Sequence, residues 1–241
     1  MTYDFQISQV ISAIQPRDYH VDFTNNHPVP WLLFENFLPS AVHRKIYNEI
    51  DLIPSHHMRS FTRNGSYMEE LNSFSNYPFL RGICHEFNSS EFVTWLEQIT
   101  SQLKLIPDPH LIGAGLMKSY RGDSLKMHTD FNWNEELHLN RKVNVIYYCS
   151  SYWEDTWGGH LHLQDKNNSN TTVIPHKPNS LLIWLYDSKL WHGHPEPLNC
   201  PQHVSRNGLR FFYYESNGSP VEPPHRSLYY KDDQGNPIDK K

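Results

Sequence analysis

Two histidines and one aspartate are the residues of this chain best suited to hold a metal ion. His128 and Asp130 lie two positions apart in the segment KMHTD. Residues two apart in a β-strand point to the same side of the sheet, so the imidazole and the carboxylate can meet at one point. A third ligand must come from elsewhere in the chain, and His192, in the later segment LWHGHP, is the candidate. Because the chain has 16 histidines and 26 acidic residues, the motif alone is a weak signal.

Two histidines and one carboxylate on the same side of an ion favour a particular chemistry. This arrangement leaves the opposite coordination positions open, as in non-haem Fe(II) oxygenases. A glycine or alanine in place of Asp130 would open a site for a halide, so the carboxylate favours hydroxylation. His194 shares a strand face with His192 and is the alternative third ligand. It precedes Pro195, which favours an extended backbone that can leave the strand, and we therefore predict His192.

Short β-rich segments, separated by Gly, Pro, Asn and Asp clusters, must position these side chains. This pattern is typical of an all-β barrel or jelly roll. Upstream, the periodicity predicts a strand at 29–38, an amphipathic helix from Ser40, and helices at 7–14, 79–87 and 90–103. Residues 55–79 are polar and aperiodic, which predicts a surface loop, with a lid over the substrate as the alternative. The β-rich segments are 111–120, 142–149, 160–163, 171–174, 180–184 and 209–215.

The length of 241 residues fits a single domain. We predict mostly helical support over 1–110, a jelly-roll core over 111–215, and a polar tail over 216–241 in which Arg226–Tyr230 could add an edge strand. The fold class is therefore mainly β with supporting α-helices.

The overall charge and the cysteines exclude several classes of partner. The net charge of −5 is well mixed along the chain, which argues against nucleic acid or an anionic membrane as a partner. No stretch approaches the ~18 apolar residues of a membrane span. The three cysteines are odd in number and widely spaced, and no leader-like segment opens the sequence, so we predict a reducing, cytoplasmic location. The sequence does not indicate an oligomeric state.

The order of these features resembles the 2-oxoglutarate- and Fe(II)-dependent dioxygenase superfamily, in particular its prolyl 4-hydroxylase-like branch. The H-x-D motif is followed by Gly158-Gly159-x-Leu, by Pro175-x-x-x-Asn179, by the distal histidine and by Arg206, and the segment LFENFLP at 33–39 is also similar to that branch. The resemblance implies a double-stranded β-helix, a cupin-like jelly roll. It also implies that His128, Asp130 and His192 are the iron ligands.

The resemblance further implies a set of residues for 2-oxoglutarate. Arg206 matches the basic residue that pairs with the far carboxylate, and Tyr120 is similar to a tyrosine that contacts it. Prolyl hydroxylases that use lysine for this contact place it nearer the distal histidine, where this chain has Gln202. Arg210 shares a strand face with Arg206 and is the alternative, but Gly208 beside Arg206 leaves room for a small molecule. A guanidinium suits a carboxylate because it offers a planar two-point match.

The implied reaction is hydroxylation of a C–H bond by O2, with 2-oxoglutarate converted to succinate and CO2, and with ascorbate as a candidate accessory reductant. The implied substrate is a prolyl residue in a peptide or protein, and a free amino acid, another small molecule or a glycan remains an alternative. Asn132 and Trp133, directly after the H-x-D motif, are candidates for the substrate rim. A cupin-like metal-binding module without turnover is the second hypothesis, and an interaction surface of exposed rings is the third.

Overall fold

The computed structural model describes residues 5–63, 65–167 and 170–230, and two antiparallel β-sheets packed face to face dominate it. The strands are β1 Trp31–Phe34, β2 Arg59–Arg63, β3 Ser66–Leu71, β4 Ile106–Pro107, β5 Gly115–Ser119, β6 Leu125–Thr129, β7 Trp133–Asn134, β8 Leu139–Tyr148, β9 Leu161–Asp165, β10 Thr171–Ile174, β11 Ser180–Leu185, β12 Leu190–His194, β13 Arg206–Glu215 and β14 Leu228–Tyr229. The helices are α1 Ser8–Ile11, α2 Pro16–Asn25, α3 Ser40–Asp51, α4 Pro78–Phe87 and α5 Ser90–Thr100.

The larger sheet has the strand order β1-β11-β8-β13-β5-β3-β2, with β4 beside β13 and β7 beside β8. The smaller sheet has the order β10-β9-β12-β6-β14. Consecutive strands alternate between the two sheets over much of the chain, for example β5, β6 and β7, and β11, β12 and β13. This arrangement confirms the predicted double-stranded β-helix, and it places β6 and β12 of the smaller sheet opposite β13 and β8 of the larger one.

Strand β8 shows how the alternation of side chains fills both layers. Ile146 and Tyr148 point into the space between the sheets, whereas Val145 and Tyr147 point to the opposite face, where the helices pack. The side chains between the sheets are Val29, Ile146, Tyr148, Leu161, Leu163, Ile174, Leu182, Trp184 and Leu190. The helices cover the outer face of the larger sheet with a ring-rich layer in which Phe87 stacks on Phe211 at 4.6 Å between ring centroids. The helices therefore do not cover the inner face of the smaller sheet.

Several predicted elements are confirmed, with shifted ends. The helix predicted over 90–103 spans Ser90–Thr100. The expectation that Ser90 caps it is wrong, because the cap is Ser89, whose hydroxyl accepts from the Phe92 amide at 3.3 Å. The helix α2 was not predicted, because a proline after a helical pattern, such as Pro16 after 7–14, usually ends a helix. Pro16 is instead the first residue of the next one, a position where proline loses no hydrogen bond. The predicted edge strand in the tail is β14.

The prediction of a surface loop over 55–79 is wrong for its central part. Strands β2 and β3 form a hairpin that joins the edge of the larger sheet through β5. The close approach of β3 depends on Gly115, because a Cβ at that position would collide with the Leu71 carbonyl oxygen. The hairpin also buries Met68 against Met117 and Leu125. The alternative that this segment closes over substrate stays a prediction.

An ion-pair cluster joins this hairpin to the centre of the larger sheet. Glu70 accepts from Arg210 of β13 at 2.6 Å and from Arg59 of β2 at 2.7 Å. Burial alone would raise the pKa of Glu70, but the two guanidinium groups outweigh it, and the pKa lies below its ordinary value of 4.5.

Glu70→Gln is expected to lower the free energy of unfolding by about 2 kcal/mol at pH 7, because it weakens hydrogen bonds to charged groups. A carboxylate with a lowered folded-state pKa stabilises the fold above its unfolded-state pKa, and loses that contribution as the pH falls through the folded-state value. The difference between wild type and variant, measured by urea unfolding at pH 7 and at pH values below 4.5, should therefore shrink toward acid. A difference that stays constant over this range would contradict the ion-pair explanation.

None of the helices within the described ranges is long and apolar enough to cross a bilayer.

Candidate metal centre

His128, Asp130 and His192 come together at the inner face of the smaller sheet. Each offers one ligand atom, and the three atoms lie within 4.8 Å of one another. His128 on β6 and His192 on β12 are directly opposite in an antiparallel pair, which places their side chains on one face at the closest cross-strand distance. The Asp130 carboxylate follows β6 and lies 3.6 Å from His128 Nε2 and 3.2 Å from His192 Nε2.

The two rings present the nitrogen that a metal needs. The Nδ1–H of His128 donates to the Lys126 carbonyl at 2.8 Å, which leaves Nε2 as the unprotonated nitrogen that faces Asp130. Burial lowers the pKa of His192 in spite of the opposing Asp130 carboxylate, so this ring is neutral at pH 7. A neutral imidazole is the form that binds metals.

A buried arginine holds the aspartate in its ionised form. Arg141 Nη2 lies 2.9 Å from Asp130 Oδ2. Burial alone would raise the pKa of Asp130, but the Arg141 guanidinium, with His192, outweighs it and holds that pKa well below its usual range. Arg141 is itself fixed by a hydrogen bond from its Nε to Asn144 Oδ1 at 2.7 Å, and its guanidinium lies 3.3 Å from the Phe212 ring centroid.

Sequence reasoning missed Arg141 because an irregularity in β8 determines where it points. Tyr213 pairs with Val143, but the next residue, Tyr214, pairs with Arg141, so Lys142 is an extra residue on β8. One extra residue reverses the facing of the side chains beyond it. Without this bulge Arg141 would share the face of Val143, toward the helices. The only signal in the sequence is the pair of basic residues, Arg141 and Lys142, near the start of a strand that is mostly apolar toward its end.

The three candidate ligands line one cavity with two arginines and a further histidine. Its walls come from both sheets and include Met117, Leu125, Ile146, Leu161, Trp184 and Phe212 beside His128, Asp130, His192, His194, Arg206 and Arg210. Arg206 and Arg210 share this face because they lie four positions apart on β13. The cavity therefore combines apolar walls with a set of buried ionisable groups.

The two arginines differ in what neutralises them. Arg210 donates to the Glu70 carboxylate at 2.6 Å. Arg206 is 1% exposed and its Nε donates to the Gly159 carbonyl at 2.7 Å, while its Nη1 has no hydrogen-bond partner within the described ranges. A buried cation without an anion is costly. Arg206 is thus the arginine whose charge an anionic ligand would balance.

His194 lies outside the three-residue cluster but inside the same cavity. It is 1% exposed, and neither ring nitrogen has a hydrogen-bond partner among the residues that the structure describes. The backbone register shifts between His192 and His194, where His194 pairs with Leu125. Burial, together with Arg206, lowers the pKa of His194 well below its ordinary value.

The remaining predicted site residues lie away from the cavity wall. The Tyr120 hydroxyl donates to Glu69 at 3.2 Å, and Tyr120 does not line the cavity. Tyr148 lies closer to Arg206, whose guanidinium is 5.3 Å from its ring centroid. Asn132 is buried and binds the tail, donating to the Pro223 carbonyl and accepting from the His225 amide. The roles given to Tyr120 and Asn132 stay predictions.

Trp133 lies on an open groove beside the site. This groove is lined by Arg63 of the hairpin, by Phe131 and Trp133, and by Pro224 and His225 of the tail. The tail also adds Tyr229 to the smaller sheet, where its ring stacks against His128 at 5.5 Å between centroids. The substrate-rim role of Trp133 stays a prediction, and the groove is the surface on which it would act.

The donor set fits a divalent transition metal. Nitrogen and oxygen ligands lie ~2 Å from such an ion, so neighbouring ligand atoms on one side of it lie about 3 Å apart. The observed separations of 3.2 and 3.6 Å need only small side-chain adjustments to meet that spacing. Two imidazoles and one carboxylate are the ligands typical of the non-haem Fe(II) site.

Several solved structures are similar to this fold. A prolyl hydroxylase from Trichoplax adhaerens, in complex with a hypoxia-inducible-factor peptide, is 18% identical and superposes with a TM-score of 0.58, covering 83% of this chain and 90% of that one. Prolyl 4-hydroxylase from Phytophthora capsici is 15% identical with a TM-score of 0.64, covering 92% and 68%. HygX from Streptomyces hygroscopicus, with nickel, 2-oxoglutarate and hygromycin B, is 11% identical with a TM-score of 0.56, covering 93% and 97%.

These identities establish the fold alone, and no curated protein matches the chain in sequence. A sequence model of the 2OG-Fe(II) oxygenase superfamily matches residues 115–214, which run from β5 to β13. The matched span contains His128, Asp130 and His192 together with Arg206. The part of the chain from β5 to β13 is therefore similar in sequence to the 2OG-Fe(II) oxygenase superfamily.

Proposed function

We propose that this protein is an Fe(II)- and 2-oxoglutarate-dependent dioxygenase that hydroxylates a C–H bond of a prolyl residue in a peptide or protein. One observation carries the proposal. The His128, Asp130 and His192 cluster shares a buried cavity with Arg206, a cation whose charge no carboxylate neutralises among the described residues. A module that only binds metal has no need of a buried cation beside the metal ligands.

Each residue has a defined task in this proposal. His128, Asp130 and His192 would hold the iron. When bound, Fe(II) couples the oxidative decarboxylation of 2-oxoglutarate by O2 to oxidation of a substrate C–H bond. Arg206 binds the far carboxylate by charge and by a planar pair of N–H donors. The apolar walls exclude water from these charged groups, which strengthens every electrostatic contact inside.

The prolyl substrate is proposed on the likeness in fold. The Trichoplax adhaerens enzyme is a prolyl hydroxylase with a peptide bound, and the Phytophthora capsici proteins are prolyl 4-hydroxylases. The open groove beside Trp133 could receive an extended peptide. A small-molecule substrate is the second candidate, because HygX, which is similar over most of both chains, holds hygromycin B.

Succinate release tests the proposal. Purified protein with Fe(II), ascorbate and 2-oxoglutarate is incubated with a library of proline-containing peptides and, in parallel, with free amino acids and aminoglycosides. We expect succinate and a product heavier by one oxygen atom with at least one peptide. Products only in the small-molecule arm would replace the prolyl substrate. Tight metal binding with no binding of 2-oxoglutarate would favour the cupin-like binding module.

The wider organisation of the chain is part of the proposal. We infer one domain over 1–241, with 1–110 as support, 111–215 as core and 216–241 as tail. The continuous core between the helices and the larger sheet supports it. The three cysteines are buried and free, which favours a reducing compartment such as the cytoplasm.

Gly159→Ala is expected to raise the concentration of 2-oxoglutarate needed for half-maximal turnover by about tenfold, equivalent to ~1.4 kcal/mol. A Cβ on Gly159 would lie 2.8 Å from Leu198 Cδ2, 2.9 Å from Arg206 Cδ and 3.0 Å from its Nε, so the arginine must move together with Leu198. The cosubstrate titration at saturating iron measures this effect, and iron binding should stay unchanged.

Gly158→Ala is the matched control. Gly158 has the same φ of +74° as Gly159, so alanine meets a left-handed φ at both positions, but a Cβ on Gly158 meets no atom within 4 Å. Only the variant at 159 should change the requirement for 2-oxoglutarate. Equal effects of the two variants would show that backbone strain, rather than displacement of Arg206, is responsible.

A further inference from the structure

The feature that the proposed function leaves unexplained is the second histidine of the HGH segment. His194 is fully buried, lines the cavity, and has no hydrogen-bond partner at either ring nitrogen in the parts of the chain that the structure covers. An apolar residue would fill this position at lower cost, since a buried polar group without a hydrogen-bond partner destabilises the fold. A bound ligand is the natural partner of such a ring.

The position of His194 along β12 indicates at which end of the cavity its side chain lies. Successive residues in a strand advance by about 3.3 Å, so His194 lies roughly 6–7 Å beyond His192. That displacement is close to the length of an extended five-carbon chain. Arg206 lines the same cavity as His194, and His194 is not among the three clustered ligand residues. His194 therefore belongs with Arg206, at the end of the cavity away from the proposed iron.

We propose that His194 donates a hydrogen bond to the far carboxylate of 2-oxoglutarate beside Arg206, so that the two side chains together select a dicarboxylic 2-oxo acid. This inference rests on the proposed function. An imidazole carries at least one N–H donor in either protonation state, so the contact does not depend on pH. Arg206 already donates its Nε–H to the Gly159 carbonyl. A hydrogen bond from His194 would add a further donor to the carboxylate oxygens.

The test compares two ligands that differ only in the far carboxylate. Binding of 2-oxoglutarate and of 2-oxopentanoate is measured by calorimetry on protein loaded with manganese(II), without oxygen. His194→Leu is expected to weaken 2-oxoglutarate by about tenfold to 100-fold, the range for a hydrogen bond to a charged group. The same variant should leave 2-oxopentanoate within about twofold of wild type, since that ligand has no carboxylate to lose. His194→Asn, which keeps a donor, should recover part of the loss.

Thermal stability supplies a readout that a purely structural role would not give. Because both ring nitrogens lack a protein partner within the described residues, His194→Leu should be at least as stable as wild type without ligand, and should gain less stability when 2-oxoglutarate is added. His162→Leu is the matched control. His162 is a histidine of the neighbouring strand β9 that is 22% exposed and faces Glu196, and its loss should change neither affinity.

The outcomes separate this inference from the function on which it rests. Equal weakening of both ligands by His194→Leu, or weakening of neither, would overturn the role of His194 while leaving the dioxygenase proposal in place. Loss of manganese binding would make His194 a metal ligand and overturn it as well. Wild-type protein that binds manganese but no 2-oxoglutarate would overturn the proposed function, and this inference with it.

Discussion

Arg206→Ala is expected to raise the apparent requirement for 2-oxoglutarate by two orders of magnitude or more. Removing one partner of a buried ion pair costs ~3–5 kcal/mol, and every ~1.4 kcal/mol is tenfold in affinity. Arg206 is buried, and no carboxylate neutralises it within the described residues, so the cosubstrate anion would depend on this one cation. The measurement is a titration of each variant with 2-oxoglutarate at saturating iron. Iron affinity should hardly change, because Arg206 is not one of the three clustered ligand residues.

Two further variants make this result specific. Arg206→Lys should recover part of the loss, as a point charge without the two-point match. Arg210→Ala should act mainly through folding, since Arg210 is neutralised by Glu70 at 2.6 Å. If Arg210→Ala loses the 2-oxoglutarate dependence while Arg206→Ala keeps it, the assignment of the two arginines is reversed. If neither variant changes it, the dioxygenase proposal loses its main independent support.

His128→Ala, Asp130→Ala and His192→Ala are each expected to abolish turnover that depends on iron and 2-oxoglutarate, because each removes one of the three proposed ligands. Asp130→Ala should also destabilise the metal-free protein by ~3–5 kcal/mol, since it leaves Arg141 buried without its anion. Urea unfolding measures the stability, and calorimetry with manganese(II) measures metal binding. His194→Leu should retain metal binding and should turn over at saturating 2-oxoglutarate.

A double variant separates the two roles of Asp130. Adding Arg141→Met to Asp130→Ala removes the unpaired cation, so the stability should return toward that of wild type while metal binding stays lost. Such recovery is typical of a buried ion pair replaced by an apolar side chain of similar length. A double variant that is less stable than Asp130→Ala would show that Arg141 stabilises the fold by packing on Phe212 rather than by pairing with Asp130.

The local spacing of residues was enough to predict that His128 and Asp130 lie close together. His128 and Asp130 are two positions apart in the sequence. In the structure both side chains lie close to His192, the residue predicted as the third ligand. The common facing of Arg206, Gly208 and Arg210 likewise follows from the period of a strand. Apolar runs bounded by turn residues predicted most strands of the two sheets, because the residues that a strand buries are mostly apolar and form a pattern visible in the sequence.

The choice between neighbouring candidates needed contacts between residues distant in the chain. Glu70 neutralises Arg210 and leaves Arg206 without an anion, although the two arginines share a strand face. The sequence predicts a loop where β2 and β3 form a hairpin, because these polar strands are stabilised by pairing with each other and by the pairing of β3 with β5, rather than by an apolar pattern of their own. The register shift after His192 places His194 opposite Leu125 rather than opposite Lys126.

Arg141 shows most clearly what the tertiary structure alone decided. Its sequence neighbours give an alternating strand in which residue 141 would face the helices with Val143 and Val145. The extra residue at Lys142 reverses that facing and brings the guanidinium 2.9 Å from Asp130. A bulge forms where pairing with another strand is best satisfied by skipping a residue. That pairing with β13 is a property of the assembled sheet, whereas the H-x-D spacing is a property of the sequence itself.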